Sequence, residues 1–137
     1  MNIYLDDIRI PKMSHNETKG LGINYSSSDN WVIVRDYFSF CELIKHKFDE
    51  IKLISFDHDL ACYLNDIEYT GKDAMEYLIN YCVDNNKPLP NWYVHSDNTV
   101  GRNNIIQLAL GFIKNIENVD ISTYRYYNKG FINGEFI

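Results

Sequence analysis

The sequence has little of what a disulfide-rich, zinc-binding or membrane protein needs. Its three cysteines lie about twenty residues apart without a Cys-x-x-Cys pair, so neither a disulfide framework nor a zinc knuckle is predicted. No apolar run approaches the ~20 residues that cross a bilayer. The first residues also lack the basic and apolar segments of a signal peptide. We therefore expect a cytoplasmic protein that does not insert into membranes.

Basic residues are also scarce. The 13 Lys and Arg residues are outnumbered by 19 Asp and Glu residues, which gives a net charge of -6. Binding along a nucleic-acid backbone needs clustered basic side chains, so we expect no extended nucleic-acid surface. A small anion remains a possible ligand if a cation or local dipoles offset the negative field. No motif indicates an oligomeric state.

Strands and helices alternate along the chain, whose 137 residues suit one domain. Short apolar runs predict strands at residues 2–6, 31–35, 52–57 and 91–96, and helical spacing predicts helices at 37–48, 70–85 and 105–116. Residues 8–30 and 59–69 are predicted loops, and 121–127 and 131–136 flank Asn128-Lys129-Gly130 as a C-terminal β-hairpin. We predict one α/β domain over residues 1–137, with a mostly parallel sheet of about five strands covered by helices on both faces.

Polar residues directly follow three of the predicted strands. Asp6-Asp7 follow the first, Asp57-His58-Asp59 the third and His95-Ser96 the fourth. Ligands of open α/β sheets bind at the carboxyl ends of the strands, so we expect one acidic, histidine-bearing site there. Each residue alone is more typical of a turn, a helix cap or a hydrogen-bonded core. A cluster of carboxylates is less ordinary, because like charges raise one another's pKa unless a cation or a proton separates them.

Two kinds of ligand suit this edge of the sheet. The oxygen atoms of several aspartates favour Mg²⁺ or Mn²⁺ over zinc. The segment from Asp97 to Arg102 precedes the third helix, and its backbone N–H groups could hold a phosphate, with added charge from Arg9 and Arg102. An ordinary turn with a helix cap explains the same segment equally well.

Three motifs together resemble the cyclic-phosphate-processing receiver-like domains, small bacterial and phage proteins distantly similar to response-regulator receivers. Leu5-Asp6-Asp7-Ile8-Arg9-Ile10-Pro11 resembles the opening motif Leu-Asp-Asp-x-Arg-x-Pro, and Ser55-Phe56-Asp57-His58-Asp59-Leu60 resembles the central acidic motif. His95-Ser96-Asp97-Asn98-Thr99-Val100-Gly101 resembles the His-Ser-x-Asn-x-x-Gly segment, although Thr99 stands where the family usually has proline. The resemblance covers residues from about 2 to 106 and implies a receiver-like, flavodoxin-like fold.

The resemblance implies a phosphoesterase acting on a cyclic phosphate, either a cyclic nucleotide signal or an RNA 2′,3′-cyclic end. Our leading hypothesis is metal-assisted hydrolysis, in which Asp6, Asp7 and Asp57 hold Mg²⁺ or Mn²⁺. His58 or His95 carries protons, and Asp57 and Asp59 complete the catalytic group. Which histidine is the acid and which the base stays open.

The substrate-binding residues in this hypothesis surround the third helix and the first loop. They are Arg9, Ser96, Asn98, Gly101 and Arg102.

Three other functions fit the same residues. A receiver-type switch would be phosphorylated on Asp57, but the lysine expected after a receiver's fifth strand has no clear counterpart, since only Arg125 is near. A non-catalytic module could sequester a cyclic nucleotide, for example to blunt a nucleotide-based defence between phage and bacterium. An interaction domain with a vestigial site would show no effect of metal on its melting temperature. The protein would act in the bacterial cytoplasm, or in that of an infected host if a phage encodes it.

Overall fold

The chain forms a six-stranded sheet with three α-helices in the computed structural model, which describes residues 1–17, 23, 25, 30–120, 129–132 and 135–136. The strands are β1 (Asn2–Leu5), β2 (Trp31–Val34), β3 (Leu53–Phe56), β4 (Cys62–Leu64), β5 (Ile67–Tyr69), β6 (Asn91–Val94), β7 (Gly130–Ile132) and β8 (Glu135–Phe136). The helices are α1 (Tyr37–Lys47), α2 (Gly71–Asn85) and α3 (Thr99–Asn115), with 3₁₀ turns at Pro11–Glu17 and Phe48–Glu50.

The strand order is β2-β1-β3-β6-β7-β8, and the first four strands are parallel. Strands β7 and β8 run antiparallel to their neighbours. Each parallel connection needs a crossover. Helix α1 supplies it between β2 and β3 and α2 between β3 and β6, whereas the connection from β1 to β2 contains the Pro11–Glu17 3₁₀ turn. The predicted fold class, a mostly parallel sheet with flanking helices, is confirmed.

The two faces of the sheet are covered differently. Ile3, Leu5 and Phe56 face the main core, where they pack with the buried sides of all three α-helices. Tyr4 and Tyr93 face the opposite side, which residues of the first long loop cover together with the Pro11–Glu17 turn. The buried Ser14 of that turn hydrogen-bonds the Tyr4 hydroxyl at 2.8 Å. The α-helical layer therefore lies on one face, and a 3₁₀ segment with loop residues forms the other. The prediction of helices covering both faces was wrong in this respect, because the connection from β1 to β2 contains no α-helix among the described residues.

Short polar side chains fix where the helices begin. The Asp36 carboxylate accepts a hydrogen bond from the Ser39 amide at 2.8 Å and caps α1. The Thr70 amide donates to the Asp73 carboxylate at 2.7 Å, which is half of a capping box at the start of α2. None of the helices in the described part of the chain combines the length and apolarity needed to cross a bilayer.

Several predicted boundaries were wrong in detail. Residues 59–69 are not a plain loop, because β4 and β5 form a hairpin there whose Asn65 and Asp66 both have positive φ, as a tight two-residue turn requires. Residues 8–30 include the Pro11–Glu17 turn, and α3 begins at Thr99 instead of 105. The first arm of the predicted C-terminal hairpin, 121–127, lies outside the described residues. Gly130, predicted in its turn, lies in β7 and pairs with Tyr93.

Gly71 allows α2 to start directly against the end of β3. A Cβ atom there would lie 1.8 Å from the Asp57 carbonyl oxygen, whereas a Cβ at Gly111 in α3 would meet nothing within 4 Å. We expect Gly71→Ala to lower the free energy of unfolding by about 1–3 kcal/mol through overpacking. Gly111→Ala should raise it by about 0.5–1 kcal/mol, because alanine favours a helix interior. Urea unfolding measures both, and equal effects would contradict the tight contact at Gly71.

Candidate functional site

The carboxyl ends of β1, β3 and β6 lie side by side. Leu5 pairs with Phe56, which pairs with Val94, and the ladder continues because the Asp57 amide donates to the Leu5 carbonyl and the His95 amide to the Phe56 carbonyl. The residues that follow the three strands therefore meet at one edge. Ligand atoms of Asp6, Asp57 and His95 all lie within 4.8 Å of one another.

His95 is held from both ring nitrogens inside the protein. Its Nε2 is 2.9 Å from Asp6 Oδ2, and its Nδ1 is 2.7 Å from Ser55 Oγ, which also hydrogen-bonds the Tyr25 hydroxyl. The Tyr4 ring stacks on the imidazole at 4.3 Å between centroids, and His95 is 1% exposed. His95 therefore orients Asp6 and has neither nitrogen directed at a ligand.

Asp6 is kept ionised although it is almost fully buried. Burial by itself would raise its pKa, but the hydrogen bond from His95 and those from the amides of Arg9 and Ile8 lower the pKa below its ordinary value. The two amides donate to Asp6 Oδ1 at 2.7 and 2.9 Å. A fixed negative charge thus stands at the centre of the edge.

Asp57 experiences the opposite shift. Burial, followed by repulsion from the Asp6 charge, raises the pKa of Asp57 to about 6, although hydrogen bonds from the His58 amide and the Ser96 side chain oppose the rise. Asp7 is half-buried, and its charge adds to the repulsion. Asp6 and Asp57 are thus two close carboxylates whose repulsion a bound cation would relieve, and their oxygen atoms suit Mg²⁺ or Mn²⁺.

His58 differs from His95 in having one ring nitrogen without a hydrogen-bond partner among the described residues. Its Nδ1 is 2.8 Å from Asp59 Oδ1, and the Asn98 amide donates to Asp59 Oδ2 at 3.1 Å. Within the described ranges, His58 Nε2 has no hydrogen-bond partner. The hydrogen bond from His58 is the main cause that lowers the pKa of Asp59. The Asp59–His58 pair resembles a carboxylate that orients an imidazole for proton transfer.

The backbone of Gly101 packs directly against the His58 ring of this pair. A Cβ atom at Gly101 would lie 2.3 Å from Cγ of His58, so the imidazole rests directly on the backbone of α3. Asn98 joins the two parts, since its Oδ1 accepts from the Gly101 amide at 2.9 Å while its Nδ2 donates to Asp59. Both residues therefore position His58 and Asp59.

The remaining predicted residues are Ser96, Arg9 and Arg102, of which only the arginines lie at the rim. Ser96 is buried, and its carbonyl accepts from Arg102 Nη1 at 3.3 Å. Arg9 Nη1 is 3.6 Å from the exposed carboxylate of Asp97. The predicted residues thus lie around one edge, and ligand atoms of Asp6, Asp57 and His95 form the closest group. Asp7, predicted as a metal ligand, is not part of that group.

Sequence reasoning assigned no role to three residues that support the site, although Arg35 fits the spacing of the family that the chain resembles. They are Ser55, Tyr25 and Arg35. Ser55 is the polar residue of an otherwise apolar buried strand, which is a signal that could have been used. Arg35 donates to the carbonyls of Arg9 and Asp6 at 2.6 and 3.2 Å and so ties the end of β2 to the loop after β1. Only the fold shows that Tyr25 reaches Ser55, because thirty residues separate them.

Comparison with known protein families gave a match. A family model described as the cyclic-phosphate processing receiver domain matches residues 1–110, which include all the site residues described above. No match was found among curated proteins or solved structures.

The raised pKa of Asp57 predicts how pH changes the stability of the metal-free protein. A carboxyl whose pKa is about 6 in the folded state and ~4 when unfolded stabilises the fold below about pH 4, and this contribution is lost as the pH rises through about 6. Asp57→Asn removes the titration. We expect the variant to gain stability relative to wild type as the pH rises from about 4 to about 7. Urea unfolding in EDTA measures this, and a pH-independent difference would contradict the shift.

Proposed function

The chain belongs to the cyclic-phosphate processing receiver domain family, and from this premise we propose that it is a metal-dependent phosphoesterase that opens a cyclic phosphate. The substrate class is a cyclic nucleotide signal or an RNA 2′,3′-cyclic end. The observation that carries the proposal is the juxtaposition of two arrangements: the Asp6, Asp57 and His95 cluster and the Asp59–His58 pair. One can hold a cation and the other can move a proton.

Asp6 and Asp57 would hold the Mg²⁺ or Mn²⁺ ion, with Asp7 beside them. When bound, such an ion polarises a phosphoryl oxygen and lowers the pKa of a coordinated water. The two carboxylates support this role because one is fixed as an anion and the other is neutral up to about pH 6 unless its charge is compensated. His95 contributes by holding Asp6 in place.

His58 is the proton carrier in this proposal, and His95 is not. With Nδ1 bonded to Asp59, the Nε2 atom of His58 can accept a proton from the attacking water. The water oxygen forms a new P–O bond while one ester P–O bond of the ring breaks. The proton then passes from His58 to the leaving oxygen, so the products are a phosphomonoester and a free hydroxyl.

Ser96 and the amides that begin α3 would bind the phosphate. Ser96 lies beside Asp57, and α3 starts at this edge. The Gly101 amide is engaged by Asn98, so the amides available to an anion would be those of Thr99 and Val100, the first two of the helix. Arg9 and Arg102 would add positive charge from the rim. These contacts would orient the ring phosphorus between Asp57 and His58.

A phospho-accepting switch is the second candidate. Asp57 follows the central strand β3 and lies beside Ser96. The resemblance implies the same arrangement, in which Asp57 is the phosphoryl-accepting aspartate and Ser96 the hydroxyl residue of a receiver. A non-catalytic module that sequesters cyclic nucleotides, as in a conflict between phage and bacterium, would use the same phosphate contacts. Acetyl phosphate distinguishes the switch, because a stable mass increase on Asp57 would favour it over hydrolysis.

Turnover of a cyclic substrate is the direct test. We incubate the protein with Mg²⁺ or Mn²⁺ and a panel of cyclic mononucleotides, cyclic dinucleotides and RNA 2′,3′-cyclic ends. At least one of these substrates should be converted into a phosphomonoester, which phosphorus NMR detects. Asp57→Asn and added EDTA should each abolish the conversion. If calorimetry shows that a cyclic nucleotide binds but no product forms, sequestration is favoured. Undiminished turnover by Asp57→Asn would contradict the proposal.

Substitutions of His58 and His95 should have different effects, the first on kcat and the second on stability. His58→Gln should lower kcat by about 10²–10⁴-fold, because general acid–base catalysis contributes that much, and should leave the melting temperature near that of wild type. His95→Gln should lower the free energy of unfolding by about 3–5 kcal/mol, since it leaves the buried Asp6 carboxylate without its partner. His46→Gln on the exposed face of α1 is the matched control. Equal loss of kcat in the His58 and His46 variants would rule out the assigned role.

A further inference from the structure

The β4–β5 hairpin lies at the same edge of the sheet as the site. It begins three residues after Asp59, and the intervening Ala61 has a positive φ of 46°, which turns the chain away from the direction of β3. Cys62 at its start and Tyr69 at its end pack against the main core, where the Tyr69 ring stacks on Tyr37 at 4.8 Å between centroids. The base of the hairpin is therefore held in place close to Asp59.

The hairpin presents Tyr63 on its outer face. Directly opposed residues of an antiparallel pair share a face, and successive residues alternate between faces. Cys62 is opposite Tyr69, and Tyr63 is opposite Glu68. Because the first pair packs against the core, the second pair faces away from it. Tyr63 is 64% exposed, and its hydroxyl donates to the Glu68 carboxylate at 3.3 Å. A phenol ring is thus exposed in an orientation that a cross-strand hydrogen bond supports.

This outer face lies within electrostatic reach of the site. The charge of Glu68 and the hydrogen bond to it are the main causes that raise the pKa of the Tyr63 hydroxyl, and the charge of Asp59 raises it further. Salt screens exposed charges over about 8–10 Å, so an effect of Asp59 indicates that the hydroxyl is close to it. Asp59 in turn is 2.8 Å from Nδ1 of His58. Tyr63 therefore lies near the pair that would move the proton.

Two other connections expose apolar side chains around the same edge. Ile8, in the loop after β1, is 76% exposed, and Val100, in the first turn of α3, is 71% exposed. Together with Tyr63 they are the three most exposed large apolar side chains in the part of the chain that the structure describes. One such residue would need no explanation. Three of them, from three separate connections, give the acidic site apolar surroundings that a purely ionic ligand would not use.

Charge restricts which part of a ligand can lie on the hairpin. Residues 59–71 contain Asp59, Asp66 and Glu68 and no Lys or Arg. A second phosphate there would be repelled, and RNA, with a phosphate at every step, needs clustered basic side chains. A nucleobase is neutral, its flat face stacks on an aromatic ring, and its N–H groups can donate to a carboxylate such as that of Glu68. The surface therefore suits a base better than a further phosphate.

We propose that Tyr63 is a base-stacking residue of this site, and that the ligand is a mononucleotide whose base lies on the outer face of the β4–β5 hairpin. The inference rests on the proposed function for the position of the phosphate, beside Asp57 and Ser96. It deepens that function by selecting a cyclic mononucleotide over an RNA 2′,3′-cyclic end.

Binding of ring-opened nucleotides tests the proposal without requiring turnover. In calorimetry with Mg²⁺, at least one 3′- or 5′-monophosphate of the common nucleosides should bind about 10-fold more tightly than ribose 5-phosphate, which lacks the base. Tyr63→Leu should weaken binding of this nucleotide by about 5- to 100-fold, as expected for the loss of one base–aromatic stack. Tyr63→Phe, which keeps the ring, should stay within about threefold of wild type. The affinity for ribose 5-phosphate should be the same in all of these proteins.

Ile67→Ala is the matched control, because Ile67 is 56% exposed on the opposite face of the same hairpin. It should change the nucleotide affinity by less than about threefold. The fluorescence of 2-aminopurine riboside monophosphate reports stacking directly. Wild type and Tyr63→Phe should quench it on binding, and Tyr63→Leu should not.

Several outcomes would overturn the assignment of Tyr63: equal losses of affinity in Tyr63→Leu and Ile67→Ala, no quenching by wild type, or no nucleotide that binds more tightly than ribose 5-phosphate. Tighter binding of a trinucleotide 3′-phosphate than of the mononucleotide would overturn the choice of a mononucleotide. If nucleotide binding depends on Tyr63 but no cyclic nucleotide is turned over, the phosphoesterase proposal fails and the base assignment stands. If a cyclic nucleotide is turned over with the same kcat/KM by Tyr63→Leu, the phosphoesterase proposal stands and the base assignment fails.

Discussion

The hydrogen bond between His95 and Asp6 is the interaction on which the rest of the site depends. It links the ends of β6 and β1 across β3, which lies between them in the sheet. Both side chains are almost fully buried, so the pair persists only because Ser55, the amides of Ile8 and Arg9 and the stacked Tyr4 ring satisfy their remaining groups. An anion that would otherwise be costly to bury is thereby fixed in position.

The fixed charge of Asp6 determines the state of its neighbour. Ionisation of two carboxylates that lie close together is unfavourable because their charges repel. Since Asp6 is held as an anion, this repulsion adds to the effect of burial and raises the pKa of Asp57 to about 6. Divalent metal, phosphoryl transfer to Asp57 and simple protonation are three ways to relieve the same repulsion. The Asp59–His58 pair, which follows β3 and packs against α3, places a partly exposed imidazole beside the acidic group. Its Nε2 atom has no partner among the described residues, and this is the feature on which the proposal of hydrolysis rests.

Much of the fold and of the site composition could be predicted from the sequence. The apolar runs that end on Asp6, Asp57 and His95 mark strands by local pattern, and parallel strands end at a common edge whatever their order. The β4–β5 hairpin escaped prediction because its strands have only three residues each and pack little apolar surface. The support from Ser55 and Tyr25 was missed for another reason: a hydrogen bond over thirty residues leaves no periodic signal.

The sequence by itself determined which chemical groups stand at the ends of the strands, because alternation and strand length are local properties of the chain. Only the tertiary structure decided which of these groups are fully hydrogen-bonded and which have an atom available to a ligand. The sequence does not distinguish His58 from His95. In the structure, contacts from separate strands engage both ring nitrogens of His95, whereas Nε2 of His58 has no described partner. Register and burial are set by contacts between distant segments, and no local pattern contains them.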